Sequence, residues 1–324
     1  MKYKHRSGDQ LNSVAYWNNR LDRVQWSSSP VQAPPSNPDA DNWFQGGTIN
    51  LTQGCLDKQV KLGHGNKTAY IFNTPVLGME VRITYEDLKN QVELTAGMLQ
   101  KLGFTTGSKV GVLMPNGPAI IYSILGAIRL GCHVCLLETE LDQKELARRI
   151  DVFQPDVIMV QRVSYNYNSI SQHSALLDNA LEISQHQPEH IICKGGNNRS
   201  DDVRKWFEYD FDELLGFAHP VDLVPVKSEA VVLSSFSNGI DGESALCNFT
   251  NGEIAMVSMN SYSEILSENE CLWHPESISF DHGCFYGVFG PLMHGHAVLL
   301  SEAADFSTQG VHDFWDLVEK TKIT

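Results

Sequence analysis

Nothing in this chain approaches the ~20 consecutive apolar residues of a membrane span. Its longest apolar stretches, 110–114 and 119–127, are interrupted by Gly, Pro and polar residues. A basic stripe is missing too. Lys and Arg number 24 against 39 Asp and Glu, and the formal net charge of −15 opposes a phosphate backbone, which excludes nucleic acid as a partner. The opening MKYKHRSGDQLNSVAYW has no apolar h-region, so no secretory route is expected and the sequons at Asn50, Asn66, Asn198 and Asn248 read as chance. Lys2, Lys4, His5, Arg6, Arg20 and Arg23 alternate with Asp9 and Asp22, a weak presequence pattern that places the expected location in the cytoplasm ahead of the mitochondrion. The seven cysteines are odd in number and irregular in spacing, which argues against a disulfide framework. No Gly-x-Ser-x-Gly elbow, zincin motif or dinucleotide fingerprint occurs; Gly242 and Gly252 stand too far apart to imitate one.

What is present is an alternation of short apolar runs with amphipathic stretches across 324 residues that are 42% hydrophobic and 19% charged. Residues 1–45, with three Trp and a Pro/Ser/Asn/Asp-rich segment at 27–42, read as an irregular arm with aromatic anchors. Strands are predicted at 68–73, 82–85, 109–115, 132–137, 156–160, 191–193, 229–235 and 297–300; helices at 85–102, 119–130, 142–151, 176–183 and from 314 onward, with a polar excursion at 194–226. Gly103 supplies a helix stop. The order implies βαβ crossovers and an α/β fold with a mostly parallel, doubly wound sheet. The expected organisation is the arm at 1–45, a first α/β subdomain at 46–226 and the start of a second, incomplete one at 227–324.

The segment Trp43-Phe-Gln-Gly-Gly-Thr-Ile-Asn50, followed by Cys55-Leu-Asp57, resembles the Trp-Phe-x-Gly-Gly-x-Leu-Asn and Cys-Leu-Asp-Arg-His signatures of acetyl- and propionyl-CoA synthetases, short-chain AMP-forming members of the adenylate-forming superfamily. Collinear matches continue through Arg82-Ile-Thr-Tyr-Glu-Asp-Leu88, Met114-Pro115, Arg129-Leu-Gly-Cys-His133, Ala147-Arg-Arg-Ile150, Phe289-Gly-Pro-Leu292 and Phe314-Trp-Asp-Leu-Val-Glu319. The resemblance implies stacked αβα layers and a reaction in which carboxylate and ATP form an acyl-adenylate that CoA then captures. In that architecture the adenine loop, the ribose-binding Asp and a small domain carrying a catalytic Lys would come after Thr324.

The family's phosphate loop resembles Tyr-Thr-Ser-Gly-Ser-Thr-Gly-Lys-Pro-Lys-Gly; the corresponding stretch here is Leu233-Ser-Ser-Phe-Ser-Asn-Gly-Ile-Asp-Gly-Glu-Ser244. Ser234, Ser235, Ser237, Asn238, Gly239 and Gly242 remain as its remnant, while its basic end has become Asp241 and Glu243. A carboxylate beside a polyphosphate exchanges attraction for repulsion, roughly 4 kcal/mol per pair at ~4 Å and an effective dielectric near 20. A Mg²⁺ held by Asp241 and Glu243 would offset that repulsion. Of the segment that shapes the family's acyl pocket, Trp273, Gly283 and Tyr286 persist, but Glu276-Ser277 and Ser279-Phe280 replace its Ala-Asp and Gly-Trp pairs. For CoA, the family's Gly-Gly-Phe-Ser and Arg-Gly-Gly-Lys appear as Glu138-Thr-Glu-Leu141 and Tyr165-Asn-Tyr-Asn168.

Ligand regions altered together while fold positions hold are the pattern of catalysis released and folding kept. The resulting expectation is a synthetase-like protein that does not adenylate and acts by binding, with no required cofactor and with a full-length homologue or another protein as partner. The alternative is an AMP-forming short-chain acyl-CoA ligase, or its N-terminal piece, in which case ATP with Mg²⁺ and CoA are the ligands. No catalytic residue and no metal ligand is assigned. Cys132-His-Val-Cys135 lies in a predicted buried strand without a second pair at zinc spacing, and Leu292-Met-His-Gly-His296 reads as a polar turn. Asp210, Asp212 and Glu213 read as a solvated face.

Overall fold

A computed structural model describes residues 14–31, 43–166, 169–195, 208–238, 244–262, 271–273, 276–302, 308–321 and 323. In chain order the main elements are β1 (Thr68–Thr74), β2 (Met79–Thr84), α1 (Tyr85–Lys101), β3 (Lys109–Leu113), α2 (Pro118–Arg129), β4 (His133–Leu137), α3 (Gln143–Phe153), β5 (Val157–Gln161), α4 (His173–Ile183), β6 (His190–Lys194), β7 (Glu208–Asp210), β8 (Val231–Asn238), β9 (Ser244–Thr250), α5 (Asn251–Ser261), β10 (Cys271–Trp273), β11 (Ala297–Ser301) and α6 (Thr308–Thr321).

Among the described residues seven strands form one sheet in the order β7-β6-β5-β3-β4-β8-β9, and four form a second in the order β10-β11-β1-β2. The first is parallel except for the β8–β9 hairpin; the second is parallel except for β1–β2. Short apolar strands without strict alternation are what a parallel sheet covered on both faces requires. Val110, Val112, Val134 and Leu136 face a core shared with α1, α2 and α5. Leu113, Cys135 and Leu137 face the other way, onto Leu146, Ile150 and Phe153 of α3 and Leu177 of α4. The second sheet contributes Tyr70, Ile83 and Val298 to the larger core and covers its far face with Leu317 of α6.

Capping residues fix where the helices begin. Thr84 accepts from the Asp87 backbone while the Asp87 carboxylate reaches back, closing a capping box on α1; Thr250 and Glu253 do the same for α5, and Asp142 caps α3. Gly103 ends α1 at φ 95.

Pairing crosses the expected boundary between residues 226 and 227 in both directions. β1 and β2 join the sheet of the later β10 and β11, while β8 and β9 complete the sheet of the earlier strands. Each sheet combines early and late strands, because parallel strands take neighbours through long crossovers. The expected polar excursion contains β7 and a short helix, Phe211–Gly216. Ile323 bridges Cys271 in parallel.

The motif at 43–57 is built into the interior. Trp17, Trp26 and Trp43 pack against the main core, and Phe44, at φ 61, gives its carbonyl to Ser228. Asn50 Nδ2 donates to the carbonyls of Ile128, Arg129 and Val224, closing the C-terminus of α2. Arg129 itself is 2% exposed, and all five of its N–H groups are used: on Val221 O, Thr52 Oγ1, both Asp57 oxygens and Glu93 Oε1. Removing one member of such a set leaves its partners as uncompensated charge. Arg129→Ala is therefore expected to cost on the order of 3–5 kcal/mol in urea-denaturation free energy; a loss below ~1 kcal/mol, the range of an exposed pair, contradicts the assignment.

Candidate functional site

The segment matching the family's phosphate loop forms the β8–β9 hairpin. Its register runs Ser234↔Asn248, Ser235↔Cys247, Phe236↔Leu246, Ser237↔Ala245 and Asn238↔Ser244. Strand alternation decides which remnant residues are accessible. Ser234 and Ser235 are buried. The Ser234 hydroxyl donates to Asn248 Oδ1 at 2.7 Å and has His133 Nε2 as its other partner at 2.7 Å, so it is already engaged inside the sheet. Ser237 is exposed, its hydroxyl 3.1 Å from the Cys247 thiol. Asn238 ends β8, and Gly239, Gly242, Asp241 and Glu243 lie outside the described residues.

Cations do stand at the hairpin base, but they are neutralised. Arg149, 3% exposed, bonds Glu138 at 2.6 Å and Glu145 at 2.9 Å. Arg148 forks onto Glu145 and donates to the carbonyl and hydroxyl of Ser244; that hydroxyl returns to Glu145 at 2.9 Å. Both guanidinium groups lie over the Phe236 ring, Arg149 at 4.9 Å and Arg148 at 5.8 Å from its centroid. The Arg148 hydrogen bond, ahead of those from Arg149 and Ser244, holds the Glu145 carboxyl down at about 2. Glu138, which stands where the family has its first CoA-segment glycine, is thus a structural ion-pair partner. Arg148, Arg149 and Glu145 were not singled out in the sequence as site residues, although the Asp142 cap and the i,i+4 spacing of Glu145 and Arg149 carry the signal.

The second CoA segment begins in the strand Val163–Asn166, paired antiparallel with Ser169–Gln172; Tyr167 and Asn168 lie outside the described residues. Tyr165 N–H donates to Glu302 Oε1, a carboxyl whose pKa burial raises.

The acyl-pocket remnant is divided. Trp273, in β10, packs in the small cluster with Cys271, Leu299 and Leu317, whereas Tyr286 packs on the main core and accepts the Tyr262 hydroxyl at its carbonyl. Gly283 belongs to Tyr286's helical run, and a Cβ there would stand 2.0 Å from the Ser277 carbonyl oxygen. That segment is tied to the Met114-Pro115 loop by Asn116, whose Oδ1 accepts from Ile278 N–H at 2.9 Å.

Cys132 and Cys135 are buried beside and within β4; burial, chiefly, pushes the Cys132 thiol up to about 12 and Cys135 higher still. Gly295, at φ 77, makes the His294-Gly-His296 turn. Among the described residues no group of three or more His, Cys, Asp and Glu could hold a metal. No helix there is long and apolar enough to cross a membrane. Asp210 caps the helix Phe211–Gly216, and Asp212 pairs with Lys194.

The profile of the family described as AMP-binding enzyme matches residues 56–324. This chain belongs to the AMP-binding enzyme family. It is 27% identical over 312 residues to mouse acyl-CoA synthetase short-chain family member 3, mitochondrial, covering 95% of this chain and 46% of the relative. It is 25% identical over 331 residues to acetyl-coenzyme A synthetase of Streptomyces coelicolor, covering 99% and 49%. The chain thus spans about half the length of these curated relatives. The crystal structure of Brucella canis acyl-CoA synthetase superimposes with TM-score 0.74 at 18% identity, over 98% of this chain and 51% of that one, which shows the same α/β fold.

His133 of β4, bonded to the hairpin's Ser234, makes stability depend on pH. Burial, then Lys109, lowers His133 from its ordinary 6.5 to about 4, and burial lowers His173 to about 4. The folded state resists protons that the unfolded state accepts, so their contribution is full above pH ~6.5 and is lost as pH falls toward 4. Denaturation midpoints are expected to fall across that window, with His133→Asn reducing the slope by about one proton; an unchanged slope contradicts it.

Proposed function

We propose that this AMP-binding family member does not catalyse adenylation and acts by binding, as a regulatory or structural partner with at most weak affinity for nucleotide or acyl-CoA. One observation carries the reading: where a phosphate loop needs a cation, the chain has Asp241 and Glu243, and the nearby Arg148 and Arg149 are committed to Glu138 and Glu145. Preorganised positive charge is the largest part of stabilising a transferring phosphoryl or adenylyl group, and committed guanidinium groups supply none without first losing their carboxylates. The partner proposed is a full-length homologue or another protein, and neither ATP/Mg²⁺ nor CoA is a required ligand. Cytoplasmic residence goes with this reading.

A second reading rests on a different fact. Because the chain spans about half of its relatives' length, it also suits the N-terminal half of an AMP-forming short-chain acyl-CoA ligase, with ATP/Mg²⁺ and CoA completed by residues that follow.

Pyrophosphate release from ATP with acetate or propionate separates the readings for this chain. The first expects none above the uncatalysed background, whereas release that disappears in Ser235→Ala/Ser237→Ala overturns it. Restoring the cation should also be visible: Asp241→Lys/Glu243→Lys is expected to tighten ATP binding at least tenfold, the direction set by the ~4 kcal/mol scale of each reversed pair. Unchanged binding removes the charge argument.

A further inference from the structure

We propose that the outer edge of β2 pairs with the same edge of a second copy of this chain, joining two four-stranded sheets into one antiparallel sheet across a two-fold axis. β2 is hydrogen-bonded to β1 on one side, and among the described residues no strand pairs with the other. An edge strand leaves every second residue with its N–H and C=O directed outward, and proteins commonly blunt such edges with Pro, bulges or a covering element. β2 contains no Pro. Two of its apolar residues reach into solvent, Met79 at 54% and Val81 at 42% exposed, while Ile83 is buried in the main core; Val76 and Leu77 in the preceding turn are exposed as well.

The charges of the strand choose the occupant and the register. Residues of alternate parity point to opposite faces, so Glu80 and Arg82 share the face that carries Lys320, and Met79, Val81 and Ile83 share the other. A two-fold axis at Val81 sets Glu80 opposite Arg82 of the second copy and Arg82 opposite its Glu80, with Val81 against Val81 and Met79 against Ile83. Shifting the pairing by two residues in either direction places Glu80 against Glu80 or Arg82 against Arg82, which like-charge repulsion disfavours. Shifting by one sets apolar residues against charged ones and flips the faces. The sequence Met-Glu-Val-Arg-Ile is thus self-complementary in one antiparallel register, a property that a heterologous partner would not need.

A ladder over Met79–Ile83, with Met79 and Val81 as its exposed apolar side chains, is a small interface, at the low end of specific contacts. The expected dimer is accordingly weak, populated at tens of micromolar.

Sedimentation of the chain from about 1 to about 200 µM is expected to show the mass rising from that of one copy to that of two. Val81→Lys, which sets two lysines together on the axis, is expected to weaken the dimer at least tenfold. Arg82→Glu is expected to weaken it as well, and Glu80→Arg/Arg82→Glu to restore it. All these positions are partly or largely exposed, so a cooperative melt at the parent temperature verifies each fold. Should Val81→Lys fail that check, the charge pair decides. A monomer throughout the range, assemblies beyond the dimer, a dimer indifferent to Val81→Lys, or a double variant no better than Arg82→Glu overturns the proposal.

Discussion

The structure depends on one buried cation. A guanidinium removed from water must have every N–H paired, and Arg129 achieves this only when three separated parts of the chain converge: Thr52 and Asp57 from the signature segment, Glu93 from α1 and Val221 from the approach to β8. Its own carbonyl is taken by Asn50 and Val224. The aromatic arm, the first βαβ unit and the return to the sheet are thereby locked in one geometry. Because a half-satisfied set is worse than none, the arrangement selects for this packing against near alternatives.

The same chemistry recurs at the hairpin base with a different consequence. Arg149 is as buried as Arg129 and is likewise divided between two carboxylates, Glu138 and Glu145. Glu138, at the position that the family resemblance matches to a glycine, is part of an internal ion pair. Retained motif residues such as Asn50, Asp57, Thr84 and Arg129 all have fold-holding partners within the chain. Arg148 and Arg149, the cations at the hairpin base, are engaged by Glu138, Glu145, Ser244 and the Phe236 ring in contacts that hold β8 and β9 to α3.

Strands buried on both faces were readable because they need continuous apolar residues, as at 109–113 and 133–137; helices were readable from apolar spacing, as over 85–102, while their starts are set by the Thr84 and Asp142 caps. β9 was not. Its apolar run, Ala245-Leu246-Cys247, is only three residues between polar Ser244 and Asn248, and the hairpin with β8, rather than propensity, makes it a strand. The family and its α/β fold were legible from collinear motifs. The engagement of Arg149 by Glu138, 11 residues earlier, was not, because a motif match does not say which side chain a carboxylate faces; nor was that of Ser234 by His133, 101 residues away, because contacts between distant strands depend on sheet order. For the same reason the mixing of early and late strands in each sheet could not be read from the linear order.

We propose that the cations at the hairpin base serve internal ion pairs rather than a ligand while the AMP-binding fold is kept. Calorimetric titration of the folded chain with ATP/Mg²⁺, and separately with acetyl-CoA, addresses it most directly. No saturable heat is expected below ~1 mM for either ligand. Saturable binding of either in the micromolar range would contradict it.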